Sequence, residues 1–149
     1  HGTAVTLDVT DHPIYQRIAI TLDFSTIDNL TIQSALAQGG KQAQYILLHI
    51  VETAGAMVYG SEIADRESSE DLVSLENYRQ QLSEKGYAVT IKVGYGNQIR
   101  LIPKIVNKFQ ADLLVMGAHG HKFFKDLIFG STVDIVRHRV KIPVLIVRK

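Results

Sequence analysis

The sequence predicts an α/β domain, a parallel sheet with helices on both faces, and three observations predict it. Five short runs rich in Ile, Val and Leu recur along the chain, at Arg17–Leu22, Tyr45–Val51, Ala88–Val93, Asp112–Met116 and Val144–Val147. Each is nearly continuous rather than alternating, the pattern of a strand buried on both faces. Segments with helical spacing and their own start and stop signals lie between the runs. Strand alternating with helix from end to end calls for crossover connections that cover both sides of one sheet.

Residues 1–14 precede the first run. His1 to Pro13 (HGTAVTLDVTDHP) is polar, has no helical period and ends in proline, so 1–14 reads as a linker or tag remnant ahead of a domain at 15–149. The chain starts with His rather than Met, which fits either a tag remnant or a cut inside a longer polypeptide. After the first run, Ser25 is placed to cap a helix through Ala35 to Gln38, stopped by Gly39-Gly40. Glu52–Asp65 follows the second run, carries Gly55 and Gly60 without a clear period, and is expected to be the longest irregular connection. A helix over about Ser68–Lys85 puts Leu72, Leu75, Tyr78 and Leu82 on one face and stops at Gly86. After the third run, a helix over about Gln98–Lys108 turns Ile99, Ile102, Ile105, Val106 and Phe109 inward. Pro103 stands one turn into it, best tolerated when the helix begins close to the proline. The last helix is expected from Ser131 to about Arg139, ahead of the final run.

A chain of 149 residues that is 46% hydrophobic has material for one domain with one continuous core. Its 16 basic and 15 acidic residues nearly cancel, so charge alone recruits neither nucleic acid nor an anionic membrane. Having no cysteine, the chain lacks disulfide, thiolate-metal and cysteine-nucleophile chemistry and fits a reducing compartment such as the cytoplasm. Its apolar runs are too short to span a bilayer, and its first residues lack the basic start and apolar stretch of a signal peptide.

Open parallel sheets bind ligands beyond the carboxyl ends of their strands, where the winding direction reverses. The loop after the fourth run is suited to that task. Gly117 and Gly120 stand three apart, nine residues follow, and then Gly130, Ser131 and Thr132 open the last helix. Two glycines at that spacing can expose successive backbone amides to an anion. Gly130 permits close approach, and the helix start adds amides, a dipole and two hydroxyls, a set that suits phosphate. Taken by itself, the same pattern also describes a turn followed by an ordinary helix cap.

The Gly-x2-Gly-x9-Gly-Ser pattern follows an Ala-Asp-Leu-Leu-Val-Met strand and precedes a terminal Ile-Pro-Val-Leu-Ile-Val strand. In that setting it resembles the ATP-binding branch of the universal stress protein family. The likeness extends to Ile18–Ser25 (IAITLDFS), Tyr45–Val51 (YILLHIV) and the Gly94 region, and so covers about Arg17–Lys149. It implies a five-stranded parallel sheet, Rossmann-like, with the first and fourth strands adjacent and Asp23 beside the Gly117 loop. Matched residue by residue, it implies nucleotide contacts at Thr21 and Asp23, at Ile50, at Met116, Gly117, His119 and Gly120, and at Gly130, Ser131, Thr132 and Val133. Thr21 departs from the proline often found at its place in the family. It also implies a homodimer formed through the last strand, Ile142–Arg148.

Asp23 ends the first strand, where a carboxylate can accept ribose hydroxyls or help hold a metal that accompanies the phosphates; it can equally cap the first helix together with Ser25. Lys122 and Lys125 read as solvated loop charges. His49, among apolar neighbours, reads as a hydrogen-bonded core histidine rather than a ligand. No histidine pair has metal-ligand spacing, so no dedicated metal is expected beyond Mg²⁺ travelling with ATP. Gly94-Tyr95-Gly96-Asn97 imitates a dinucleotide fingerprint but has Ile99 where the third glycine belongs, and reads as a tight turn at the site mouth. Gly39-Gly40-Lys41 lacks the spacing of a phosphate-binding Walker loop.

Hydrolysis or phosphoryl transfer needs a positioned base, a charge-stabilising Arg or Lys and firm metal ligands. Only Asp23 qualifies, and no catalytic residue is assigned. The expectation is an ATP-dependent stress-response or regulatory switch, cytoplasmic and homodimeric. The alternatives are a cytoplasmic regulatory domain of a longer protein such as a membrane transporter, and a slow ATP hydrolase.

Overall fold

All five apolar runs form strands, and all five pair in parallel. The computed structural model describes residues 2–9, 15–52, 61–118 and 132–149. Strands β1 (Arg17–Thr21), β2 (Gln44–Val51), β3 (Ala88–Tyr95), β4 (Leu113–Gly117) and β5 (Val144–Val147) make one sheet in the order β3-β2-β1-β4-β5. The chain builds outward from β1 to β3, then crosses to the far side of β1 for β4 and β5. The winding direction therefore reverses between β1 and β4, the neighbours that the resemblance implied. Thr21, at the end of β1, is flanked in register by Leu48 of β2 and Met116 of β4.

The helices are α1 (Asp28–Gly39), α2 (Ser61–Glu84), α3 (Gln98–Phe109) and α4 (Asp134–Arg139), with a tight turn at Gly40–Gln42. Alternate residues of the central strands enter two separate cores. Ile18, Ile20, Leu47, Leu113 and Val115 pack with Ile32 and Ala35 of α1 and with Leu75 and Leu82 of α2. Ala19, Ile46, Leu48, Leu114 and Met116 pack with Ile102 and Val106 of α3 and with Val136 of α4. Both sides of β1, β2 and β4 are thus apolar, which is why their sequence runs are continuous. Each fully buried Leu or Ile contributes about 1.5–3 kcal/mol.

β3 departs from that expectation. It lies at the sheet edge, and its exposed Ala88, Thr90 and Lys92 alternate with half-buried Val89 and Ile91. α2 covers one face of it, while α3 packs on β2 and β1 instead. One side of β3 consequently keeps polar residues, as half-solvated strands do.

Three helix expectations are corrected. Ser25 does not cap α1, which begins at Asp28 without a side-chain cap. The Ser25 hydroxyl oxygen is buried and has no hydrogen-bond partner among the described residues. α2 begins at Ser61, seven residues ahead of the expected Ser68, so part of the Glu52–Asp65 connection is helical; residues 53–60 lie outside the described residues. Leu72 does not join the inward face of α2, being 43% exposed while Leu75 is fully buried. α3 starts at Gln98 as expected, with Pro103 in its second turn rather than at its start. Asn97 caps that helix by accepting from the Ile99 amide at 2.8 Å.

Asp112, expected as the first residue of the fourth strand, instead clamps the start of β1. Its two carboxylate oxygens accept from the Gln16 and Arg17 amides at 2.9 and 2.8 Å. Arg17 completes the clamp: its Nε donates to the Phe109 carbonyl at 2.7 Å and its guanidinium lies 4.1 Å from the Phe109 ring centroid.

Candidate functional site

Parallel pairing brings the carboxyl ends of β1, β2 and β4 side by side. Side chains two apart share a face, so Thr21 points the same way as Ala19, Ile50 the same way as Leu48, and Met116 the same way as Leu114. All three lie on the α3–α4 side, where Ile50, Met116 and Val133 belong to one buried cluster. Thr132, half-exposed, precedes Val133 in a short π-helical stretch that runs into α4. Five of the expected site residues therefore gather at one sheet edge, an apolar floor with the Thr21 and Thr132 hydroxyls at its rim. His119, Gly120, Gly130 and Ser131 lie outside the described residues. The chain is π-helical at Thr132 and Val133 and α-helical from Asp134, while the expected start, Ser131, lies outside the described residues.

Gly117 ends β4, facing α1 on the opposite side of the sheet. A Cβ there would come within 2.9 Å of Ile27 Cγ2 and 3.0 Å of Thr31 Oγ1. Only glycine lets the first turn of α1 lie this close to β4, and that closeness holds the Asp23–Asp28 turn against the β4 end.

The turn itself is organised by a residue that sequence reasoning passed over. Asp28 is 1% exposed. Its carboxylate folds back to accept from the Asp23 amide at 3.3 Å and the Phe24 amide at 2.8 Å. Asp23 remains exposed, and its own carboxylate accepts from the Ser25 amide at 3.1 Å. The Tyr78 hydroxyl of α2 faces the Asp28 carboxylate; burial, then that carboxylate, raises the tyrosine pKa. An aspartate at a helix start reads from sequence as a dipole partner, and nothing in the local spacing signals that it turns inward.

Burial pushes the Asp28 carboxyl up to about 7, the Asp23 charge adds to the rise, and the two amides oppose it. The sign of the stability effect follows from linkage. The acid form is favoured in the folded chain, so the contribution is complete below the ordinary carboxylate pKa and is lost as pH rises through about 7. Between pH 5 and pH 8 the parent is expected to lose, relative to Asp28→Asn, on the order of 3 kcal/mol. Urea unfolding of both proteins at the two pH values checks this; a stability difference that does not change with pH would contradict it.

His49 fulfils its expected structural role. Its Nδ1 donates to the Leu22 carbonyl at 2.8 Å, its Nε2 lies 3.4 Å from Asp71 Oδ2, and its ring stands 4.4 Å from that of Phe24. The tight turn at Gly94–Asn97 is shorter than expected: Gly94 and Tyr95 end β3, paired with Ile50 and Val51, and only Gly96 and Asn97 make the bend. Gly96 adopts φ +132°, where side-chain-bearing residues are strained, and its amide donates to the Val51 carbonyl at 3.0 Å. Among the described residues no group of three or more His, Cys, Asp or Glu is placed to hold a metal, and no helix is long and apolar enough to cross a membrane.

Comparison with known proteins gives one answer. The profile of the Universal stress protein family matches residues 14–148. The chain is 27% identical over 151 aligned positions to the universal stress protein Sll1388 of Synechocystis sp., covering 90% of this chain and 98% of that protein. It is 24% identical over 156 positions to the universal stress protein MJ0577 of Methanocaldococcus jannaschii, covering 91% of this chain and 96% of that protein. The solved structure of MJ0577 superposes with a TM-score of 0.79 at 25% identity, covering 91% and 97% of the two chains. A universal stress protein solved in complex with cAMP superposes at 0.65 and 18% identity, covering 91% and 98%. One from Archaeoglobus fulgidus in complex with dAMP superposes at 0.60 and 17% identity, covering 89% and 98%. The sheet order, the reversal between β1 and β4 and a family profile that runs almost the length of the chain agree: this chain belongs to the universal stress protein family.

Proposed function

We propose that this chain is an ATP-binding regulatory domain that responds to nucleotide occupancy and does not turn ATP over efficiently. The observation that carries the reading is the meeting of Thr21, Ile50, Met116 and Val133 at the reversal point of the sheet, with the Gly117-x2-Gly120-x9-Gly130-Ser131 segment following β4 in the sequence and preceding α4. The residues suit the ligand by chemistry. The apolar floor accepts an adenine base, the exposed Asp23 carboxylate accepts ribose hydroxyls, and the glycine-rich segment offers amides to phosphates. Mg²⁺ is expected to arrive with the phosphates rather than in a protein cage. Two solved proteins of this fold were crystallised with adenine nucleotides, cAMP and dAMP.

ATP at a hundredfold excess over its Kd is expected to add about 2.7 kcal/mol of stability, which raises Tm by about 5–10 °C for a domain of this size. Gly130→Val should abolish the rise, because a β-branched side chain fills the phosphate approach. A parent melting curve unmoved by millimolar ATP would sink the nucleotide reading. Mass spectrometry of any co-purifying nucleotide identifies the ligand directly. ADP release at the buffer rate agrees with a switch; release that disappears in Asp23→Ala would make the domain a slow hydrolase.

In the same reading the domain works in the cytoplasm, where ATP is abundant, either free or as the regulatory part of a longer protein, and it pairs through β5. That strand lies at the sheet edge with Val144, Leu145 and Ile146 half-buried, a surface suited to a second copy.

A further inference from the structure

We infer that Asp28 is a positioning residue for Asp23, and that through it the domain distinguishes nucleotides carrying ribose hydroxyls from those lacking them. The inference rests on the nucleotide reading above for its ligand and on the β1–α1 turn for its geometry.

Four backbone groups of that turn are held by three residues. The Leu22 amide donates to the Leu48 carbonyl of β2 at 2.8 Å. The Leu22 carbonyl accepts from His49 Nδ1 at 2.8 Å. The Asp23 and Phe24 amides both donate to the one carboxylate of Asp28, at 3.3 and 2.8 Å. Phe24 sits at φ 61°, a left-handed conformation that a bulky residue adopts only when its surroundings enforce it. Its ring is seated against the His49 ring at 4.4 Å.

The bidentate contact from Asp28 is the enforcing element. Two adjacent amides pointing at one buried acceptor pair require the chain to reverse between them, and that reversal presents the Asp23 side chain outward at the end of β1. Asp28 cannot drift, because it begins α1, whose first turn is packed by Ile27 and Thr31 against Gly117. Truncating Asp28 therefore leaves two orphaned amides and a free torsion at Phe24, and Asp23 loses its direction. Asp28 is nearly inaccessible, so it acts on a ligand through Asp23.

The test compares ATP with 2′,3′-dideoxy-ATP on the intact chain by titration calorimetry. Asp28→Ala is expected to weaken ATP by about tenfold, the loss of a hydrogen bond to a charged group. Dideoxy-ATP, with no hydroxyls for Asp23, should bind the variant and the parent within about twofold of each other. Asp23→Ala combined with Asp28→Ala should bind ATP no more weakly than Asp23→Ala alone, since two residues acting through one contact are not additive. Asp28→Asn, which keeps the shape and one acceptor oxygen, should fall between parent and Asp28→Ala, and it serves if Asp28→Ala does not fold.

A readout without nucleotide stands beside these. Amide hydrogen exchange at Asp23 and Phe24 should quicken by at least about tenfold in the variant while Ile20 of β1 is unchanged. Equal weakening of both nucleotides, additive losses in the double variant, or unchanged exchange at Asp23 and Phe24 would each overturn the inference. If neither nucleotide binds the parent, the nucleotide reading itself has failed and the specificity claim falls with it, while the exchange result alone decides the positioning claim.

Discussion

Gly117→Val is expected to lower the unfolding free energy by about 3 kcal/mol and to remove stabilisation by ATP. The position has no spare volume: even the first carbon of a side chain would stand 2.9 Å from Ile27 Cγ2 and 3.0 Å from Thr31 Oγ1. Neither neighbour can swing aside. Ile27 and Thr31 are both buried, and the Thr31 hydroxyl donates to the Ile27 carbonyl at 2.9 Å. Two further methyl groups must then displace the start of α1 from β4, an overpacking that ordinarily costs about 1–3 kcal/mol and here falls at the upper end. The displacement carries Asp28 with it, so the turn bearing Asp23 and the β4 end move apart. Urea titration with and without ATP measures both effects, and a variant that keeps the parent's midpoint would contradict the packing described here.

Leu114→Ala should be the most destabilising truncation in the α3–α4 core, costing about 3–4 kcal/mol, the middle of the range for a buried leucine whose site cannot collapse. Leu114 is fully buried and sits in the second strand from the β5 edge, flanked in register by Ala19 on β1 and Val144 on β5. Strands on both sides restrain the backbone, so the cavity persists. The equilibrium m value should stay at the parent's, because the surface exposed on unfolding hardly changes. A loss under about 1 kcal/mol would mean that the second core is loosely packed.

The fold was legible because the central strands are apolar on both faces, which leaves little choice but a parallel sheet between helical layers. The same logic misled at β3. Ala88–Val93 (AVTIKV) looks continuous, yet Thr90 and Lys92 already alternate with Val89, Ile91 and Val93, the mark of a half-solvated strand. The start of α2 was hidden because Ser61–Ser68 (SEIADRES) is mostly polar and carries no apolar period to read. Leu72 obeyed the helical spacing but stays 43% exposed.

The strand ends that meet at the reversal were legible, since Thr21, Ile50 and Met116 stand at or beside the ends of their apolar runs; Gly120 and Gly130 lie outside the described residues. Asp28 was not legible, because its role exists only after β1, β2 and α1 have closed around it. A burial that depends on three elements leaves no mark on any one of them.

The two margins of the sheet differ in character. Beyond β3 the chain presents Thr90 and Lys92 to solvent, and a lysine on an open margin discourages another strand from joining. Beyond β5 it presents half-buried Val144, Leu145 and Ile146. A molecule adhesive along only one margin can satisfy it once, against the same margin of a second molecule, and strand-to-strand growth then has nowhere to continue. On the proposed pairing through β5, polarity at β3 acts as a terminator: it favours a closed pair over a filament.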